Sequence, residues 1–146
     1  MTLSTTLVWS HVALNCADQA VTASFYRRWL GFEEVRRVEL GTSQILFLRN
    51  RDVLLELFPA DGERLFDPAQ DGPANAGVIR HLAFTTDSVD AFLAELGDEA
   101  PVSLGPLDFS DFIPEWRTVW LLDPDGVIVE VSQGYRDQDD RSTDND

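Results

Sequence analysis

Two short stretches limit what this chain can fold into more than any other feature. His11-Val12-Ala13-Leu14 and His81-Leu82-Ala83-Phe84 share one pattern: histidine, apolar, alanine, apolar. Between them they hold both histidines of the chain. Each opens one half, and each half closes on a glutamate set in an apolar strand pattern, Leu55-Glu56-Leu57 and Val129-Glu130-Val131. The separations, His11 to Glu56 and His81 to Glu130, differ by only four residues, which loops absorb. Two His and two Glu placed alike in two halves point to a duplicated unit with a metal between its copies.

The order of elements supports the duplication. Alternation predicts a first strand over Leu7 to Cys16, with Trp9, His11 and Ala13 on one face. Asp18 caps a predicted helix from Gln19 to Leu30, which Gly31 ends. Strands follow over Phe32 to Leu40, Ser43 to Leu48 and Val53 to Phe58, with turns at Gly41-Thr42 and Asn50-Arg51-Asp52. Residues 59–76, rich in Pro, Gly, Asp and Ala, read as a linker with a helical turn near Leu65. The pattern then restarts. A strand is expected over Val78 to Thr85, and a helix over Val89 to Leu96 capped by Asp87 or Ser88. Strands follow over Val102 to Leu104, Arg117 to Leu122 and Val127 to Ser132. Asp123-Pro124-Asp125-Gly126 is a turn between the last two. Gly105 to Trp116 is expected to be an apolar-rich loop acting as a lid or binding loop. The expected architecture is therefore α+β: two βαβββ modules, about 5–58 and 77–134, forming a cupped mixed sheet around a metal site. Together they make a single domain over 1–134, followed by an acidic disordered tail, 135–146.

Composition narrows the function. A formal net charge of -15 in 146 residues argues against nucleic acid and against anionic membrane surfaces. The chain has no lysine, which excludes a lysine Schiff base. Arg27, Arg28, Arg64, Arg80 and Arg117 are left to anchor a substrate carboxylate or phosphate. One cysteine, Cys16, forms no intrachain disulfide. With no signal-peptide pattern after Met1, this leads to a cytoplasmic assignment.

Imidazole nitrogens and carboxylate oxygens suit Zn, Ni, Co, Mn or Fe. If the first and last strands of each half are sheet neighbours, His11, Glu56, His81 and Glu130 become four ligands on rigid strands. A metal holding a substrate carbonyl acidifies the adjacent C–H, and a carboxylate can take the proton.

These pieces, with Phe25-Tyr26-Arg27-Arg28-Trp29-Leu30-Gly31-Phe32 and Asp123-Pro124-Asp125-Gly126 leading to Glu130, resemble the vicinal oxygen chelate superfamily. That superfamily includes glyoxalase I, epimerases, extradiol dioxygenases, and fosfomycin and bleomycin resistance proteins. The resemblance covers nearly the whole chain to about Gly134. It implies paired βαβββ modules around a divalent metal, with ligands at His11, Glu56, His81 and Glu130, and a homodimer. All four ligand positions are filled, as in glyoxalase I and related epimerases and isomerases. That favours a lyase or isomerase binding the vicinal oxygens of a small carbonyl substrate. Glu130 is then the first-choice base and Glu56 the second. The extradiol dioxygenase alternative uses three ligands plus a further histidine, which this chain lacks. A fosfomycin-type reaction expects a cationic pocket and fits an acidic chain poorly. The non-enzymatic alternative is an antibiotic-sequestering protein of the bleomycin resistance type, drawing a cationic drug to Trp9, Phe109, Phe112 and Trp116. With Arg117, these aromatic residues are the expected substrate-binding set.

Overall fold

The computed structural model describes residues 4–64, 67 and 70–134. The helical turn expected near Leu65 and the tail 135–146 lie outside the described residues. The chain divides into two compact units, Met1–Glu63 and Arg64–Asp146.

The first unit runs β1 (Val12–Cys16), α1 (Gln19–Leu30), β2 (Glu33–Leu40), β3 (Ser43–Asn50) and β4 (Val53–Pro59). The second repeats it with β5 (Leu82–Thr85), α2 (Val89–Leu96), β6 (Val102–Asp108), β7 (Arg117–Leu122) and β8 (Ile128–Gln133). The α+β class and the two βαβββ modules expected from sequence are what is found. Hydrogen bonding builds one four-stranded mixed sheet in each unit, in the orders β1-β4-β3-β2 and β5-β8-β7-β6. In each, the first strand pairs in parallel with the last, and the other pairs are antiparallel.

Strand alternation divides each sheet into two unlike faces. Leu46, Leu48, Leu55 and Leu57 are buried on one face of the first sheet, where α1 packs against β3 and β4. Val119, Leu121, Val129 and Val131 are their counterparts in the second, where α2 packs against β7 and β8. The helices are fixed at their ends. The Asp18 carboxylate accepts from the Ala20 and Val21 amides. Gly31 takes the left-handed conformation that ends α1, and the Asn50 amide donates to the Leu30 carbonyl at 2.7 Å. Ser88, not Asp87, caps α2 by accepting from the Ala91 amide. The Gln133 side chain accepts from the free Val89 amide at 2.8 Å.

Three expectations are corrected. The first strand begins at Val12, not Leu7, and the fifth at Leu82, not Val78. The cause is common to both. In the parallel register Val12 faces Leu55 and Leu82 faces Val129. β4 starts at Val53, two residues before Leu55, and β8 at Ile128, one before Val129, so most of the preceding segment runs past the end of its partner strand. Leu7, Val8, Trp9 and Ile79 are accordingly exposed. The sixth strand runs on to Asp108, reducing the loop to 109–116. β6 lies at the sheet edge, where a strand tolerates Pro106 and register shifts because only one side must be paired.

The turn between β7 and β8 is held by one side chain. Asp123 is 3% exposed and its carboxylate accepts from the Asp125 and Val127 amides, both at 2.8 Å. Hydrogen bonds to a buried carboxylate are stronger than neutral ones. Asp123→Ala is expected to lower stability by about 2 kcal/mol, read as a lower urea midpoint with unchanged slope.

Candidate metal and substrate site

The parallel register decides where the histidines go. In the first unit Ala13 stands opposite Glu56, and in the second Ala83 stands opposite Glu130. A histidine two residues before each alanine falls on the same face as the glutamate. The alanine methyl leaves room for the glutamate to reach along the strand. His11 Nε2 lies 3.1 Å from a Glu56 carboxylate oxygen, and His81 Nε2 lies 3.8 Å from one of Glu130. The side chains are partly accessible, 36% and 17% in the first pair and 26% and 17% in the second. Both glutamates sit on the sheet face away from the helix.

The other imidazole nitrogen is engaged in each case. His11 Nδ1 lies 2.7 Å from the Ser10 hydroxyl, and His81 Nδ1 lies 3.4 Å from the Asp71 carbonyl oxygen. A carbonyl only accepts, so the His81 contact places the proton on Nδ1. The Nε2 lone pair then faces a carboxylate oxygen, and two acceptors in that position call for a cation or a proton between them. Ligands about 2.1 Å from a divalent ion and cis to one another stand about 3 Å apart. The His11–Glu56 separation matches that value, and the His81–Glu130 separation lies within an ångström of it. Nδ1 bound to a carbonyl or hydroxyl is also the arrangement that orients a metal-ligating histidine. Each pair thus offers two donors of the kind and spacing that a divalent metal takes, although among the described residues no three His, Cys, Asp or Glu side chains are grouped to hold one.

His81 has a support that comes from the stretch read as a linker. Asp71 and Pro73, within that stretch, pack back on Arg80. The Arg80 guanidinium pairs with the Asp71 carboxylate at 3.0 Å and donates to the Pro73 carbonyl at 3.4 Å. Gly72 lies between them with φ +114°, and a Cβ there would collide with the Arg80 carbonyl oxygen. The Gly72-Pro73 pair was the available signal, since such dipeptides mark tight turns.

The expected substrate-binding residues are not all brought together. Phe109 and Trp116 are in contact, with ring centroids 4.9 Å apart, and the Phe109 amide donates to the Trp116 carbonyl. They close the β6–β7 hairpin, while Phe112 is 79% exposed at its end. The same loop starts with an Asx turn. The Ser110 hydroxyl and amide bond the Asp108 carboxylate and hold it below the usual carboxylate range. Trp9 is 77% exposed in the segment before β1. Arg117 points the other way. It is paired across from Gln133, on the helix-covered face, and its guanidinium bonds Asp90 of α2 at 3.0 Å. Arg117 is therefore separated by the sheet from the face that carries Glu130.

A fold of two βαβββ units, each with a His–Glu pair at the parallel strand junction, defines the class. The chain belongs to the Glyoxalase/Bleomycin resistance protein/Dioxygenase superfamily, whose family model matches residues 9–131. It is 32% identical over 130 residues to the uncharacterized protein YwkD of Bacillus subtilis (strain 168), covering 83% of this chain and 92% of that relative. A glyoxalase family protein from Enterococcus faecalis is 32% identical, with a TM-score of 0.63 over 86% of this chain and 96% of its own. The fosfomycin resistance protein FosX from Listeria monocytogenes, complexed with Mn(II) and sulfate, has a TM-score of 0.62 at 20% identity. It covers 94% of this chain and 98% of its own, a likeness in fold. Among the described residues no helix is long and apolar enough to cross a membrane.

Gly72→Ala is expected to displace Arg80 and weaken binding of Co(II), titrated by absorbance, about tenfold. That is the size of effect typical for the loss of a group that orients a metal ligand. Ala substitution at Gly41, where a Cβ meets nothing within 4 Å, should leave the titration unchanged.

Proposed function

We propose that this protein is a divalent-metal-dependent enzyme of the glyoxalase and epimerase type, a lyase or isomerase acting on a small carbonyl compound in the cytoplasm. The observation that carries this reading is the pair of His–Glu contacts built on equivalent strand registers. Neither pair alone supplies the three or four protein ligands that such a metal takes. His11, Glu56, His81 and Glu130 are therefore all enlisted, for Zn, Ni, Co, Mn or Fe. The single domain over 1–134 and a homodimeric assembly belong to the same reading.

A bound divalent ion would polarise a substrate carbonyl and make the neighbouring C–H acidic. The chain's own groups do the rest. Both histidines are committed through both ring nitrogens, so neither is free to carry a proton. That leaves the carboxylates. Glu130 is the first-choice base, taking the proton on a carboxylate oxygen and returning it to the neighbouring position. Glu56 serves the opposite face of the substrate. The absence of a third histidine in the sequence also weakens an extradiol dioxygenase reading. Phe109, Phe112, Trp116 and Trp9 supply apolar surface for the substrate, whereas Arg117, tied to Asp90, serves the fold.

Two measurements test this. Metal analysis of protein purified without added metal should find close to one divalent transition ion per chain, or that amount after reconstitution. In heavy water, hydrogen exchange alpha to the carbonyl of hydroxyacetone should be catalysed by the loaded protein. In Glu130→Gln, exchange should fall by about a hundredfold or more with metal retained, the scale of a lost general base. Undiminished exchange removes Glu130 from that role. No uptake of any of the five metals, with tryptophan fluorescence quenched by a cationic drug, would replace the enzyme with a sequestering protein.

A further inference from the structure

The two units carry corresponding rows of residues across their sheets, and the rows differ beside the glutamate and again at the edge strand. In the first unit the row is Ala13, Glu56, Phe47 and Arg36. In the second it is Ala83, Glu130, Trp120 and Leu104. Each glutamate thus has an aromatic residue directly opposite on the antiparallel neighbour. Phe47 and Trp120 share position and aromatic character. Only Trp120 adds a hydrogen-bond donor.

That donor has no use within the fold. Trp120 is 6% exposed, and its indole Nε1 is buried without a hydrogen-bond partner. Buried donors are nearly always satisfied, so one left over on the residue paired with Glu130 calls for a partner that comes and goes. The nearby hydroxyls do not supply it, because Thr118 and Ser132, on the same face, bond each other at 2.7 Å. Directly paired residues on one face have side chains in reach of one another. Glu130 itself remains partly accessible. The ring edge-on to Trp120 is Phe109, at 6.1 Å between centroids. Phe109 opens the 109–116 loop, which therefore borders Trp120.

We infer that Trp120 is a substrate-positioning residue, whose indole N–H donates to an acceptor oxygen of a ligand held on the Glu130 side of the site. This rests on the metal-dependent reading above and makes it more specific. The ligand must carry a carbonyl or carboxylate oxygen next to the oxygens that meet the metal.

Acetohydroxamate, a small chelator with two vicinal oxygens, is a suitable probe on Zn(II)-loaded protein. Trp120→Phe removes the N–H and installs the residue that the first unit already carries at that place. Zn(II) affinity should change less than twofold, whereas the dissociation constant for acetohydroxamate should rise about tenfold. In wild-type protein the Trp120 indole ¹⁵N–¹H resonance should move downfield when acetohydroxamate is added and stay in place with Zn(II) alone. This second readout does not depend on the variant's folding. If acetohydroxamate binds loaded wild type and variant alike, or leaves the indole resonance unmoved, the role of Trp120 is overturned and the metal reading stands. If Zn(II) binds neither form, the metal reading fails and this inference fails with it.

Discussion

The parallel pairing of the first and last strand in each unit is the constraint on which the site depends. Side-chain direction in a sheet has a period of two, so a slip of one residue would turn every side chain to the other face. Here Ala13 faces Glu56 and Ala83 faces Glu130. A histidine two residues upstream is thereby delivered to the carboxylate. The register is itself held from the opposite face. Leu55 and Leu57, and Val129 and Val131, are at most 2% exposed on the helix side. Moving either glutamate off its face would bring those residues out to where the glutamate stands. The burial of apolar side chains against one helix thus fixes polar geometry on the other side of the same strand.

Division of labour between the faces also explains which charged groups are available for chemistry. Arg117 attracts attention in the sequence because arginine anchors anions well. Its place in β7 puts it on the helix side, where Asp90 occupies it. Glu130, thirteen residues later on the adjacent strand, falls on the other side. Arg80 is similarly occupied, holding Asp71 and Pro73 against the residue before His81. These arginines work as structural clamps around the second His–Glu pair.

Much of this was legible in the sequence. Asp18 and Gly31 bounded the first helix, Asp87 or Ser88 marked the start of the second, and Asp123-Pro124-Asp125-Gly126 marked the last turn, because caps and turns depend on residues close in sequence. The His–Glu pairs were legible because a duplicated motif reports on itself. What could not be read depends on residues distant along the chain. Leu7 to Trp9 has the alternation of a strand but lies past the end of its partner strand. The 71–73 segment has the composition of a linker, and only the fold shows it braced against Arg80. Trp120 looks like one more apolar residue in a run of them. Its unsatisfied N–H and its place opposite Glu130 become visible only once β7 and β8 are aligned.

The central claim is that both histidines, each beside its own glutamate, ligate one kind of divalent ion. Since the chain has two histidines in all, pulsed electron paramagnetic resonance on Cu(II)-substituted protein can count them. The account predicts two coordinated imidazoles in the wild type and one in each of His11→Ala and His81→Ala. A spectrum with no coordinated imidazole, or one that neither substitution changes, would contradict it.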